Sequence, residues 1–72
     1  MITAENIQSR IAQAIRESEL SQSEIARRIG VRQPTIAQYI SGKTKPNIET
    51  FARLCKTLDL DPAYILCLTE NE

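Results

Sequence analysis

Few side chains in this sequence could do covalent or acid–base chemistry. The 72 residues include no histidine. The side chain that titrates near neutrality, and the commonest nitrogen ligand for a transition metal, is therefore missing. The thiols are Cys55 and Cys67, twelve positions apart on what read as separate helices. Two such ligands do not complete a four-ligand zinc site. Cys55 reads as a small core hydrophobe. Cys67 could be core, interface or an exposed thiol. Most carboxylates stand at helix-cap or surface positions. Catalysis is not expected, and neither a metal nor an organic cofactor is implied.

What remains is the chemistry of charge and of amides. Nine cations balance nine anions, but unevenly along the chain. Residues 1–19 carry a net −1, residues 20–46 a net +4 and residues 47–72 a net −3. A zero total argues mildly against a polyanionic partner. The distribution argues for one, because Arg27, Arg28, Arg32, Lys43 and Lys45 stand against Glu24 alone in the central stretch. The acidic flanks would restrain nonspecific binding. The alternative is a solvated surface with chance clustering. Gln22, Gln33 and Gln38 lie in the same stretch, each with an amide that both donates and accepts.

Those residues have to be positioned by helices. Ser21 is an N-cap type with Glu24 three residues later, the capping-box spacing, and Leu20 can staple onto Ile25. Ile25, Ala26 and Ile29 share one helical face. Gly30 suits a left-handed helix end, and Val31 carries the turn. A second helix begins near Gln33, with Ile36 and Ile40 inward, and Gly42 can end it. Helix, short turn with glycine and helix together read as a helix-turn-helix.

The rest of the chain is helical too. Thr3 caps a first helix that runs to about Glu17, with Ile7, Ile11 and Ile15 as its inner stripe. Pro46 breaks the chain, and Asn47 caps a fourth helix whose inner face is Ile48, Phe51, Leu54, Cys55 and Leu58. Asp61 caps and Pro62 opens a short fifth. The pattern predicts an all-α, five-helix bundle forming one domain over residues 1–68, with a frayed polar tail at 69–72. Nothing resembles a membrane span or signal peptide, so the cytoplasm is the expected location.

The stretch L-S-Q-x-E-I-A, then G-V, T-I, S-G-K-T-K-P and N-I-E-T-F, resembles the lambdoid phage repressor and Cro (XRE) family of DNA-binding domains. The resemblance covers nearly the whole chain. It implies that the helix starting near Gln33 enters the major groove, with Gln33, Pro34, Ala37, Gln38 and Ser41 toward the bases. Gln33 could pair in two-pronged fashion with adenine, and Pro34 could offer only apolar contact. Gln22, Arg27, Arg32, Lys43, Thr44 and Lys45 would meet phosphates, Gln22 also bonding Gln33. Arg32 replaces the Ser or Thr cap frequent in the family, and Asp59 the frequent glycine. Many relatives pair an Arg in the first helix with a Glu in the third. Here Ile15 and Ile40 hold those places and are expected to be buried against each other.

The function implied is transcriptional regulation, as a repressor, by occupying a double-stranded DNA operator. The partner would be a second copy, joined through the C-terminal helices with Tyr64, Cys67 and Leu68 partly exposed. The alternative is an antitoxin-like module of the same fold that binds a protein through its acidic C-terminal half.

Overall fold

The helix boundaries fall where side chains can satisfy the open N–H groups of a first turn. The computed structural model describes residues 1–70. It contains α1 (Ala4–Glu17), α2 (Gln22–Ile29), α3 (Gln33–Ser41), α4 (Ile48–Leu58) and α5 (Pro62–Ile65), with no strand among the described residues. Thr3 Oγ1 accepts from the Asn6 N–H at 3.0 Å, Ser21 Oγ from Glu24 at 3.1 Å, Asn47 Oδ1 from Thr50 at 2.8 Å and Asp61 Oδ1 from Ala63 at 3.0 Å. Each such cap contributes about 1 kcal/mol. Only α3 lacks one. Arg32 makes no side-chain cap there, and Pro34 removes one N–H that would need a partner.

The C-terminal ends of α2, α3 and α4 use left-handed residues. Gly30 (φ 79°) and Gly42 (φ 84°) adopt that conformation without a Cβ penalty. Asp59 adopts it too, at φ 54°.

The core is largely isoleucine. Ile11 and Ile15 of α1, Ile25 and Ile29 of α2, Ile36 and Tyr39 of α3, Leu54 of α4 and Ile65 of α5 form one buried cluster. Ile25, Ile29, Ile36 and Leu54 are fully buried, each contributing about 1.5–3 kcal/mol of apolar burial. α3 packs on both α1 and α2, and α2 also packs on α4. Helix α3 is thus held from two sides, and its remaining face is left to solvent.

Several expectations change. Ile48, expected inward, is 89% exposed. It opens α4 immediately after the Asn47 cap; the rest of the expected face holds, with Leu54 and Cys55 buried and Phe51 and Leu58 packed against the core, and Thr50 joins it. Ile15 is buried, but Ile40 is only half-buried and packs against the edge of the core. Cys67, left open between core, interface and exposed thiol, is buried. Tyr64 is half-buried, and Leu68 alone of the three is exposed.

Two polar side chains on α1 join parts distant in sequence. Gln8 Nε2 donates to the carbonyls of Tyr39 (3.1 Å) and Ile40 (2.9 Å) at the end of α3. Arg10 donates to the carbonyls of Tyr64 (2.6 Å) and Thr69 (3.1 Å), lies 4.2 Å over the Tyr64 ring and pairs with Glu70. The expected tail continues into Asn71 and Glu72, which lie outside the described residues.

Candidate nucleic-acid interface

The outer face of α3 is open because its inner face is fixed by Ile36 and Tyr39, both buried. Gln33, Pro34, Ala37 and Ser41 are exposed along it, and Gln38 is half-buried. Of these, Ser41 is engaged locally: its hydroxyl donates to the Gln38 carbonyl at 3.2 Å and accepts from the Lys43 N–H at 3.3 Å. It closes the end of α3 together with Gly42. The Thr44 N–H reaches the same Gln38 carbonyl at 3.4 Å, so the loop to Lys45 is shaped by the helix it follows.

Gln33 is not free. Ser23 Oγ donates to Gln33 Oε1 at 2.8 Å. The expected partner was Gln22. Gln22 is exposed at the start of α2, whereas Ser23, the next residue, turns toward α3 and reaches the amide first. Nothing in the sequence ranked Ser23 above Gln22, since both stand in the same helical turn.

Charge is arranged differently from the simple tally. Glu24 was expected to return a bond to the backbone before α2. Its carboxylate instead takes Arg27, through Nε at 3.2 Å and through Nη2, and Arg28, through Nε at 2.6 Å. These two guanidinium groups, Arg27 foremost, hold Glu24 down from an ordinary 4.5 to about 2. Arg27 stays mostly exposed, with 71% of its side chain in solvent. Arg32, Lys43 and Lys45 are also exposed and form no ion pair among the described residues. Arg32 precedes α3 and the two lysines follow it, so uncompensated positive charge brackets the open helix face.

The thiols stand apart from this face. Cys55 is buried, and burial, with a smaller push from Asp61, raises its thiol. Cys67 is buried too, its backbone left-handed at φ 65°. No group of three or more candidate metal ligands occurs among the described residues.

This arrangement has solved and curated counterparts. The structure is similar to the P22 c2 repressor protein solved in complex with synthetic operator 9T. Their TM-score is 0.71 at 28% identity, over 83% of this chain and 91% of that one. The sequence is also 42% identical over 41 residues to Antitoxin HigA1 of Mycobacterium tuberculosis, in strains CDC 1551 / Oshkosh and H37Rv. That match takes in 57% of this chain but 28% of the antitoxin, so the chain spans about a quarter of the length of these relatives. The family described as helix-turn-helix (HTH_3) matches residues 11–65, from the core stripe of α1 to the end of α5, and the chain belongs to that family.

Proposed function

We propose that this protein binds double-stranded DNA sequence-specifically and regulates transcription, as a repressor, by occupying an operator. The observation that carries this reading is the open face of α3 flanked by unpaired cations, within a fold similar to a repressor solved on its operator. Gln33, Pro34 and Ala37 face the bases, Gln38 stands at the edge of that face, and Ser41 chiefly shapes the helix end. Gln22, Arg27, Arg32, Lys43, Thr44 and Lys45 meet phosphates. No step requires a cofactor or an enzymatic activity. No described helix is long and apolar enough to cross a membrane, which fits the proposed cytoplasmic location.

The domain works as a two-fold dimer, with the two α3 helices about 34 Å apart on one face of the duplex. Exposed Ile48, on an apolar groove that includes Ile7, Phe51 and Leu66, and exposed Leu68 supply surface for the second copy. Selection from random duplexes tests the whole reading. A pseudo-palindromic motif, bound with an affinity that falls by about 0.9 log units per log unit of salt for each phosphate contacted, is expected. Recovery of no motif overturns it.

The similarity to HigA1 favours a second reading, an antitoxin-type module that holds a protein partner. A chain that selects no duplex yet forms a stable complex with a small protein encoded beside it would establish that reading instead.

A further inference from the structure

We propose that Ser23 is a specificity-positioning residue: it sets the orientation of the Gln33 amide, and so decides which base edges Gln33 accepts. The inference rests on the DNA-binding reading above. Ser23 lies in the first turn of α2, and Gln33 is the first residue of α3. Buried Ile25, Ala26, Ile29 and Ile36 fix the two helices against each other, so the gap between these side chains is set by the core. Across that gap the Ser23 hydroxyl donates to Gln33 Oε1 at 2.8 Å.

Both side chains are exposed, so this bond does not satisfy a buried group and adds little to folding. Its effect is on the conformation of Gln33. A free glutamine samples many rotamers and loses that freedom when it docks. A glutamine already held by its neighbour loses less, which favours binding by preorganisation.

The bond also gives the amide a polarity. With Oε1 accepting from Ser23, the Nε2 hydrogens are the end left to point outward, and no other partner takes them among the described residues. An outward donor pairs with an acceptor: guanine N7 or O6, adenine N7 or thymine O4. Oε1 keeps a second lone pair, so an acceptor stands beside that donor in a fixed place. Ser23 thus fixes which end of the amide donates outward, and with it the base edges that Gln33 can match.

The test compares motifs selected from random duplexes by the wild type, Ser23→Ala, Ser23→Thr, Gln33→Ala and the Ser23→Ala/Gln33→Ala double variant. Ser23→Ala is expected to flatten the preference at one base pair by roughly three- to tenfold, the worth of one hydrogen bond, leaving the other positions and the unfolding midpoint in place. Ser23→Thr keeps the hydroxyl and should keep the preference. In the Gln33→Ala background, removing Ser23 should change nothing further. Without DNA, the Gln33 side-chain amide should lose order in Ser23→Ala, read from its nitrogen relaxation. An unchanged motif with Ser23→Ala overturns the proposal, and so does an equal loss on all sequences with a shallower salt slope, which would make Ser23 a phosphate contact. If the wild type selects no motif, the DNA-binding reading itself fails, a result distinct from a wild-type motif that Ser23→Ala leaves intact.

Discussion

Gln8 should set the seating of α3, and replacing it should separate packing from polarity. Its amide spans α1 and α3 by donating to the carbonyls of Tyr39 and Ile40 at 3.1 and 2.9 Å. Both are among the last four carbonyls of α3, which have no partner within the helix. The Gln38 carbonyl is already supplied by Gly42, Thr44 and Ser41. Gln8→Ala therefore leaves two partly buried acceptors to water or to nothing. At about 0.5–1.5 kcal/mol per lost bond, the cost is about 1–3 kcal/mol. For a domain of this size that lowers the thermal midpoint by roughly 4–8 °C per kcal/mol.

Gln8→Glu sharpens the test, because it keeps the shape and reverses the polarity. At neutral pH it sets a carboxylate against two carbonyls at the negative end of the α3 dipole, so it should be less stable than Gln8→Ala. That site favours the protonated acid, raising its folded pKa above the unfolded one. The penalty is then full at high pH and shrinks as pH falls through the folded pKa. Urea unfolding of the three proteins from pH 8 to pH 4 reads this directly, with midpoint shifts at constant slope. A Gln8→Glu protein as stable as Gln8→Ala at pH 8, or one whose deficit does not narrow on acidification, would refute the reasoning.

Other perturbations follow from the same geometry. A Cβ at Gly42 would meet Gln8 Cδ at 3.1 Å in a left-handed residue, whereas one at Gly30 meets nothing nearer than Arg53 Nη1 at 3.9 Å; both alanine variants should lose stability, by more than about 1 kcal/mol, with Gly42→Ala the worse by thermal unfolding. Glu24 is held near 2 against an ordinary 4.5. Its lowered folded value means its contribution is full above about 4.5 and lost as pH falls toward 2, so the stability gap between wild type and Glu24→Gln should close over that interval. Both thiols are buried, and native protein should react with a thiol reagent far more slowly than urea-unfolded protein, by timed alkylation and mass measurement. Lys43→Ala should weaken binding to all duplexes alike and flatten the salt slope by about one unit, whereas Gln33→Ala should cost about 1–3 kcal/mol on the selected site alone.

What was legible in the sequence was whatever depends on one helix at a time. Thr3, Ser21, Asn47 and Asp61 cap as their types require, and Gly30 and Gly42 end helices as glycine permits. The stripe Ile7–Ile11–Ile15 faces the core because every fourth residue must share a face. Failures appear where two elements compete for one side chain. Ile48 fits the inner stripe of α4 by spacing, yet it is exposed at a groove that it shares with Ile7 and Ile11 of α1. Ile40 fits α3 equally well, but it ends half-buried at the edge of the core. Gln8 gave no signal, since a glutamine on a helix surface is ordinary until a neighbouring helix end falls within reach.

The charge pattern shows why partner choice, and not composition, decides where a polyanion would be drawn. By count, residues 20–46 carry a net +4, with Arg27 and Arg28 on α2 contributing as much as Lys43 and Lys45 beyond α3. In the folded chain one carboxylate, Glu24, binds both α2 arginines, so α2 has a field weaker than its sequence suggests. The uncompensated cations are then Arg32 before α3 and Lys43 and Lys45 after it. A cation at each end of a nine-residue helix attracts phosphates on both sides of whatever that helix faces, whereas a cluster on α2 would attract them to one side. Placing Glu24 between Arg27 and Arg28 lowers the general attraction for any polyanion while leaving the attraction centred on α3. A site that must be found by fit to base edges and not by charge alone requires that balance.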